Sequence, residues 1–201
     1  MVVFVQSVAH KSQVVGDGRH LGEFLVPTRI RTPGEIWAAD NNAFLGWDEP
    51  EFVAMLRQIV RRVRLGEWTP PKFVTMPDVV ANYRETQKRW AYWHRAMAVP
   101  EINRGYVLQD GCEDLGHWAV PWDTFEALFI GGSTEFKLGP FARHCVAMAR
   151  MMGKWVHMGR VNSVRRARYA RSIGCHSIDG SGLNRFARVK LIPVVRMLAM
   201  E

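Results

Sequence analysis

Short apolar runs alternate along this chain with longer segments in which apolar positions recur every three or four residues. The runs "VVFVQS" (2–7), "EIWAAD" (35–40), "KFVTMPD" (72–78), "GYVLQDG" (105–111), "EALFIGGS" (126–133), "KWVHMG" (154–159) and "CHSID" (175–179) predict strands. The clearest helix is "WDEPEFVAMLRQIVRRVRLG" (47–66), with Asp48 as its cap, Pro50 in the first turn, Glu51 three residues after the cap and Gly66 as its stop. Phe52, Met55, Leu56, Ile59, Val60 and Val63 fall on one stripe of that helix. Further helices are predicted over "YRETQKRWAYWHRAM" (83–97) and over "FARHCVAMARMM" (141–152), which Pro140 opens and Gly153 closes. Another lies between Asn162 as cap and Gly174 as stop, and a closing helix spans "LNRFARVKLIPVVRMLAM" (183–200), with Pro193 as a kink point.

Strand, helix, strand in regular succession predicts a parallel sheet with helices outside it, closed either as a doubly wound open sheet or as a barrel. No GxGxxG follows the first strand, no P-loop is present, and "IGGSTEFKLG" (130–139) stands too late and is wrongly spaced for a dinucleotide fingerprint. The expected fold is therefore α/β, a small (β/α)8 TIM-like barrel forming one domain over 1–201. Some of its helices would be shortened or replaced by loops such as "CEDLGHWAVPW" (112–122).

Composition narrows the function. With 48% apolar residues and eight Trp, the chain can bury a sizeable core. A formal charge of +8 points to a polyanionic partner, nucleic acid ahead of a membrane surface, although a solvated basic surface would carry the same sum. Cys112, Cys145 and Cys175 lie far apart with no CxxC spacing. That pattern suits a reducing compartment and speaks against a disulfide framework or a zinc knuckle. "MVVFVQSVAH" (1–10) has no signal-peptide character and no run of 18 apolar residues occurs, so a soluble cytoplasmic protein with no membrane partner is expected.

The polar residues gather where the predicted strands end: Asp40, Asp78, Gln109, the Gly131-Gly132 pair, Met158-Gly159 and Asp179. In a barrel those ends converge on one mouth, where active sites lie. Each residue alone reads equally as a cap or turn former, Asp179-Gly180 above all. Their common register makes a shared site the stronger reading, because carboxylates gathered there need a ligand or paired protonation states. Strand alternation with Asp179 and Met158 facing the mouth sends His157 and His176 away from it, as structural histidines.

These residues resemble the tRNA-guanine transglycosylases, and more closely the phage 7-deazaguanine DNA transglycosylases, from about "IWAADNNAF" to "CHSIDGSGLNR". The resemblance puts Asp40 of "AADNNAF" at the general acid/base position and Phe44 at the aromatic that stacks on the purine. Asp78 takes the place of the aspartate that grips the guanine edge, and Gln109 of "VLQDG" that of the glutamine that reads the base. Gly131, Gly132 and Ser133 match the Gly-Gly turn that approaches the base carbonyl. Met158 and Gly159 of "VHMGRV" match the Met-Gly step whose methionine covers the other purine face, and Asp179 matches the nucleophile. Asn41-Asn42 stand where the family has Ser-Gly. No cysteine follows Cys175 to supply the three-Cys, one-His zinc set of the tRNA enzymes, which favours the DNA-modifying branch with no metal and no cofactor.

The chemistry so implied exchanges guanine in DNA for a free 7-deazaguanine base such as preQ0, in the host cytoplasm if the chain is phage-encoded, hiding phage DNA from restriction nucleases. Two carboxylates with opposite duties suit a retaining exchange at C1′. An ionised Asp78 suits the N1–H and 2-amino donors of a guanine-like edge, with Gln109 and the Gly132 amide serving O6. A base inside a duplex must be flipped out or presented single-stranded. The basic run "KWVHMGRVNSVRRARYAR" (154–171) offers Lys154, Arg160, Arg165, Arg166 and Arg168 for phosphate, Arg160 and Arg165 foremost, while Arg61, Arg62 and Arg64 read as surface. Three rivals remain: the same exchange on tRNA, a non-catalytic barrel that binds nucleic acid or deazaguanine, and a nucleoside hydrolase.

Overall fold

In a strand, successive side chains face opposite ways, and in a closed parallel barrel both faces are buried, one in the lumen and one beneath the helices. The computed structural model describes residues 1–6 and 20–200. Its eight strands are β1 (Val2–Val5), β2 (Leu21–Leu25), β3 (Trp37–Ala39), β4 (Val74–Thr75), β5 (Arg104–Leu108), β6 (Ala127–Ile130), β7 (Trp155–Met158) and β8 (Ser177–Asp179). They form a closed barrel in chain order, each parallel to the next, and β8 closes on β1 with Phe4 level with Asp179. The expected (β/α)8 barrel is the fold of this chain.

The lumen is narrow, and the sequence fills it by setting large side chains against small ones. Phe4, Phe24, Phe73, Ala38 and Ala127 form an inner cluster with Phe129 and Trp155 packed on it. Gly22 gives way to Phe4 and Gly159 to Phe129: a Cβ at either position would stand 2.5 or 2.6 Å from the facing ring. The alternate residues, among them Val3, Val5, Trp37, Val74, Tyr106, Leu108, Leu128, Ile130, Val156, Met158 and Ile178, face outward into a second, larger core under the helices.

Helix α1 (Glu49–Arg64) starts as its sequence predicts: Asp48 accepts the Glu51 N–H, and Phe52, Met55, Leu56 and Ile59 are buried. Asn82 caps α2 (Tyr83–Ala96) in the same way. After β5 two 3₁₀ turns, His117–Ala119 and Trp122–Thr124, replace a helix. They are tied to α2 by the Tyr83 hydroxyl donating to Ala119 O and by Trp90 Nε1 donating to Thr124 Oγ1. The short α3 (Thr134–Leu138) precedes α4 (Pro140–Met151), and α5 (Val164–Ser172) follows β7. None of the described helices is long and apolar enough to cross a membrane.

The structure departs from the sequence expectations at several places. Strand β2 was not legible, because Glu23 interrupts its apolar pattern; Glu23 is nonetheless 4% exposed and pairs with Arg31 at 3.5 Å. Strand β4 keeps only two ladder residues of the predicted 72–78. Ser163, not Asn162, caps α5, and Asn162 Oδ1 instead accepts the Gly182 N–H at 2.8 Å. The single closing helix is broken into α6 (Ser181–Arg185), a π-helical turn (Ala187–Leu191) and α7 (Ile192–Met200), with Pro193 in the first turn of α7 rather than at a kink. Ser7, at the end of the first predicted strand, lies outside the described residues.

Phe73 is fully buried at the centre of the lumen, 5.1 Å from the His157 ring and within 6.2 Å of three phenylalanine rings. Phe73→Ala is expected to cost about 3–5 kcal/mol in urea unfolding, against about 1 kcal/mol for loss of the exposed cap in Asp48→Ala. Equal losses from the two would mean that the lumen does not hold the barrel together.

Candidate active site

Five residues at the strand ends stand two positions beyond a lumen-facing residue, so alternation aims them into the mouth. Asp40 follows Ala38, Gln109 follows Val107, Gly131 follows Phe129, Gly159 follows His157 and Asp179 follows Ser177. Asp78 joins them from the loop after β4. Around them lies a cavity of about 220 Å³. Its lining includes Asp40, Asp78, Asp179, Gln109, Gly131, Gly132, Gly159, Phe44, Arg160 and Lys137, with Phe4, Phe24 and Phe129 also contributing. That volume lies below the roughly 300–1,000 Å³ of pockets for drug-sized ligands and suits a single small ring system.

The three carboxylates are held differently. Asp78, 6% exposed, accepts Asn41 Nδ2–H on Oδ1 at 2.7 Å and Gln109 Nε2–H on Oδ2 at 2.5 Å. Burial nevertheless raises its pKa, opposed by those two amides and by the charge of Arg89. Asp40 is pushed up to about 7, by burial first and then by the charges of Asp179 and Asp78, against the backbone N–H groups of Asn41 and Asn42. Asp179 receives two N–H groups on Oδ1, from Arg160 backbone at 3.0 Å and His157 Nε2 at 3.1 Å.

Among the described residues three outside the glycines adopt left-handed backbone, Asn42 (φ 65°), Ala81 (φ 57°) and Arg160 (φ 58°), and all three stand at the mouth, Ala81 donating its N–H to Gln109 Oε1. Asparagine tolerates that conformation; arginine is strained by it. The turn at Arg160 delivers its N–H to Asp179 and lays its guanidinium 4.2 Å from the centre of the Phe44 ring, which is itself 60% exposed at the rim. Lys137, 5% exposed, donates to Gly159 O at 3.1 Å, and burial followed by the Arg160 charge lowers its pKa to about 8.

No family model matches the chain, and no curated protein or solved structure matches it. Among the described residues no group of three or more His, Cys, Asp and Glu side chains is placed to hold a metal ion. The three cysteines are buried and unpaired.

Asp40, Asp78, Asp179, Gln109, Gly131, Gly132 and Gly159 thus share one cavity, as the strand-end register predicted, and Phe44 and Arg160 line it with them. Four assignments need correction. Met158 is 1% exposed in the outer core and covers no face of the cavity. Its neighbour His157, expected to point away, faces the lumen instead and bonds Asp179. Ser133 lies outside the cavity lining; its hydroxyl caps α3 and its N–H goes to Asp110. Lys154 precedes β7 at the end of the barrel opposite the mouth, where it donates to Phe125 O. Arg165 and Arg168 are exposed on α5, and Arg166 is half-buried there. His176 stays outside the lumen, stacked on Trp155, with burial and Arg150 lowering its pKa to about 4.

Sequence reasoning missed Asn41, Lys137 and His157 as site residues. Of these only Asn41 stood out in the sequence, as a departure from the family's Ser-Gly; its amide also donates to Met76 O at 2.7 Å, so it clamps the β3 end to the β4 end.

Asp40 binds its proton more tightly folded, near 7, than unfolded, near 3.9. It supports the fold below about pH 4, loses that support as pH rises through 7, and opposes folding above it. Asp40→Asn should therefore gain roughly 2–4 kcal/mol on the wild type between pH 4 and pH 8.5 in urea unfolding. A constant difference across that range would show Asp40 to be an ordinary carboxylate.

Proposed function

We propose that this protein is a base-exchange transglycosylase that replaces guanine in DNA with a 7-deazaguanine such as preQ0. The observation that carries the reading is a pair of carboxylates in one small cavity with unlike surroundings: Asp40, with its pKa near 7, and Asp179, anchored by two N–H donors. Titratable groups whose environments differ in this way divide acid and nucleophile duties.

In the first half-reaction an Asp179 carboxylate oxygen forms a bond to C1′ as the C1′–N9 bond breaks, and its electron pair leaves with guanine. Protonated Asp40 supplies the proton to the departing base. In the second half, Asp40 takes the N9 proton of the incoming deazaguanine, N9 bonds C1′, and the Asp179 carboxylate is released. Asp78 accepts the N1–H and 2-amino donors of a guanine-like edge through the lone pairs that Asn41 and Gln109 leave open. Gln109 keeps one N–H for O6 and spends the other on Asp78. Phe44 offers one stacking face at the rim, and Met158 has no part in it.

Incubation of single-stranded guanine-containing DNA with preQ0, followed by nucleoside mass spectrometry, should reveal the deazaguanine nucleoside. Asp179→Ala should abolish both exchange and the covalent protein–DNA adduct. Guanine release should fall above about pH 7, as Asp40 loses its proton. Incorporation into tRNA alone, abasic sites without exchange, or binding with no adduct would each replace this reading with one of its rivals.

Arg160 at the rim and Arg165 and Arg168 on α5 form the phosphate-contacting surface in this reading. Replacing any one by Gln should reduce the slope of log affinity against log salt by about 0.7 for single-stranded DNA. Lys154→Gln, at the far end of the barrel, should leave the slope unchanged.

A further inference from the structure

The His157 imidazole is fully buried, its ring 4.6–5.9 Å from those of Phe4, Phe24, Phe73 and Phe129. Both of its nitrogens are engaged in that apolar setting. Nδ1 meets Ser177 Oγ at 2.9 Å and Nε2 meets Asp179 Oδ1 at 3.1 Å. Ser177 Oγ also accepts the indole N–H of Trp155 at 2.8 Å.

The direction of this chain follows from what each group can do. An indole only donates, so the Ser177 oxygen accepts from Trp155, which leaves the serine's own proton available to Nδ1. The imidazole then carries its proton on Nε2 and donates it to Asp179, a carboxylate that only accepts. Every donor meets an acceptor from Trp155 to Asp179. With the Arg160 N–H also on Oδ1, that oxygen is held twice, and among the described residues no hydrogen bond reaches Oδ2.

We infer that His157 is a positioning residue for Asp179, fixing the carboxylate so that Oδ1 is the anchored oxygen and Oδ2 the one that attacks C1′. This role rests on the base-exchange reading of the same cavity. Serine, histidine and aspartate in sequence resemble a hydrolytic triad, but Ser177 is fully buried beneath the imidazole, and the end open to the cavity is the carboxylate. The serine orients the histidine, and the histidine orients the nucleophile.

His157→Phe keeps an aromatic ring in the lumen and removes both hydrogen bonds; His157→Gln restores an N–H donor toward Asp179. The expected result is a fall in kcat for base exchange of about 100-fold in His157→Phe, the scale of a small misplacement of a reacting group. KM for DNA should stay within about twofold, and His157→Gln should recover about tenfold of the loss. A His157→Phe enzyme within threefold of wild-type kcat, or a glutamine variant no better than phenylalanine, would overturn the inference.

Long-range ¹H–¹⁵N NMR on the wild-type protein provides a readout independent of activity. It should show Nε2 of His157 protonated and Nδ1 as an unprotonated acceptor, and the reverse pattern overturns the inference whatever the activity. A wild-type protein that shows the expected nitrogens yet exchanges no base upholds the orientation of Asp179 and removes the base-exchange reading instead.

Discussion

Eight short parallel strands close on a lumen with room for four phenylalanine rings and one imidazole, and the position of every mouth residue follows from that filling. Gly22 and Gly159 cannot carry a side chain without moving Phe4 or Phe129. The rings in turn leave the strand ends no freedom to slide, since a shift of one residue would send every lumen side chain into the outer core. Asp179 is level with Phe4 across the β1–β8 seam, so the carboxylate stands on the aromatic layer.

An apolar layer is a costly neighbour for charge, and the mouth meets that cost in three ways. Asp78 is met by two amide donors, one from Asn41 and one from Gln109, which offset part of the cost of its burial. Asp40 remains near the point where it can be protonated at neutral pH, because it is buried and because the other two acids stand close by. Asp179 is met by the backbone turn at Arg160 and by His157 from below. One cluster of like side chains therefore holds a carboxyl that keeps its proton near neutral pH, a carboxylate bonded to two amides and a carboxylate anchored on one oxygen, with the differences created by neighbours rather than by residue type.

Positive charge is distributed unevenly around this cluster. Arg160 and Lys137 stand at the cavity itself, and the exposed arginines of α5 continue outward from it. Arg62 and Arg64 are paired with Glu67 and Glu101 on the barrel's outer face, which leaves them little attraction for a polyanion. In a chain whose formal charge is +8, Arg160 and Lys137 thus bring positive charge to the lining of the mouth itself.

The alternation of apolar runs and amphipathic segments carried the barrel, and capping residues such as Asp48 carried helix starts, because both depend on neighbours close in sequence. The gathering of Asp40, Asp78, Gln109 and Asp179 was legible for the same reason, each lying at or just beyond the end of an apolar run. What the chain could not declare was strand parity. Both faces of a closed parallel barrel are buried, so "WVHM" fits equally with Met158 or His157 turned inward, and hydrophobicity does not distinguish them. Only the closed lumen decided it, through contacts between residues far apart in sequence: Phe129 against Gly159, Ser177 against His157, and His157 against Asp179.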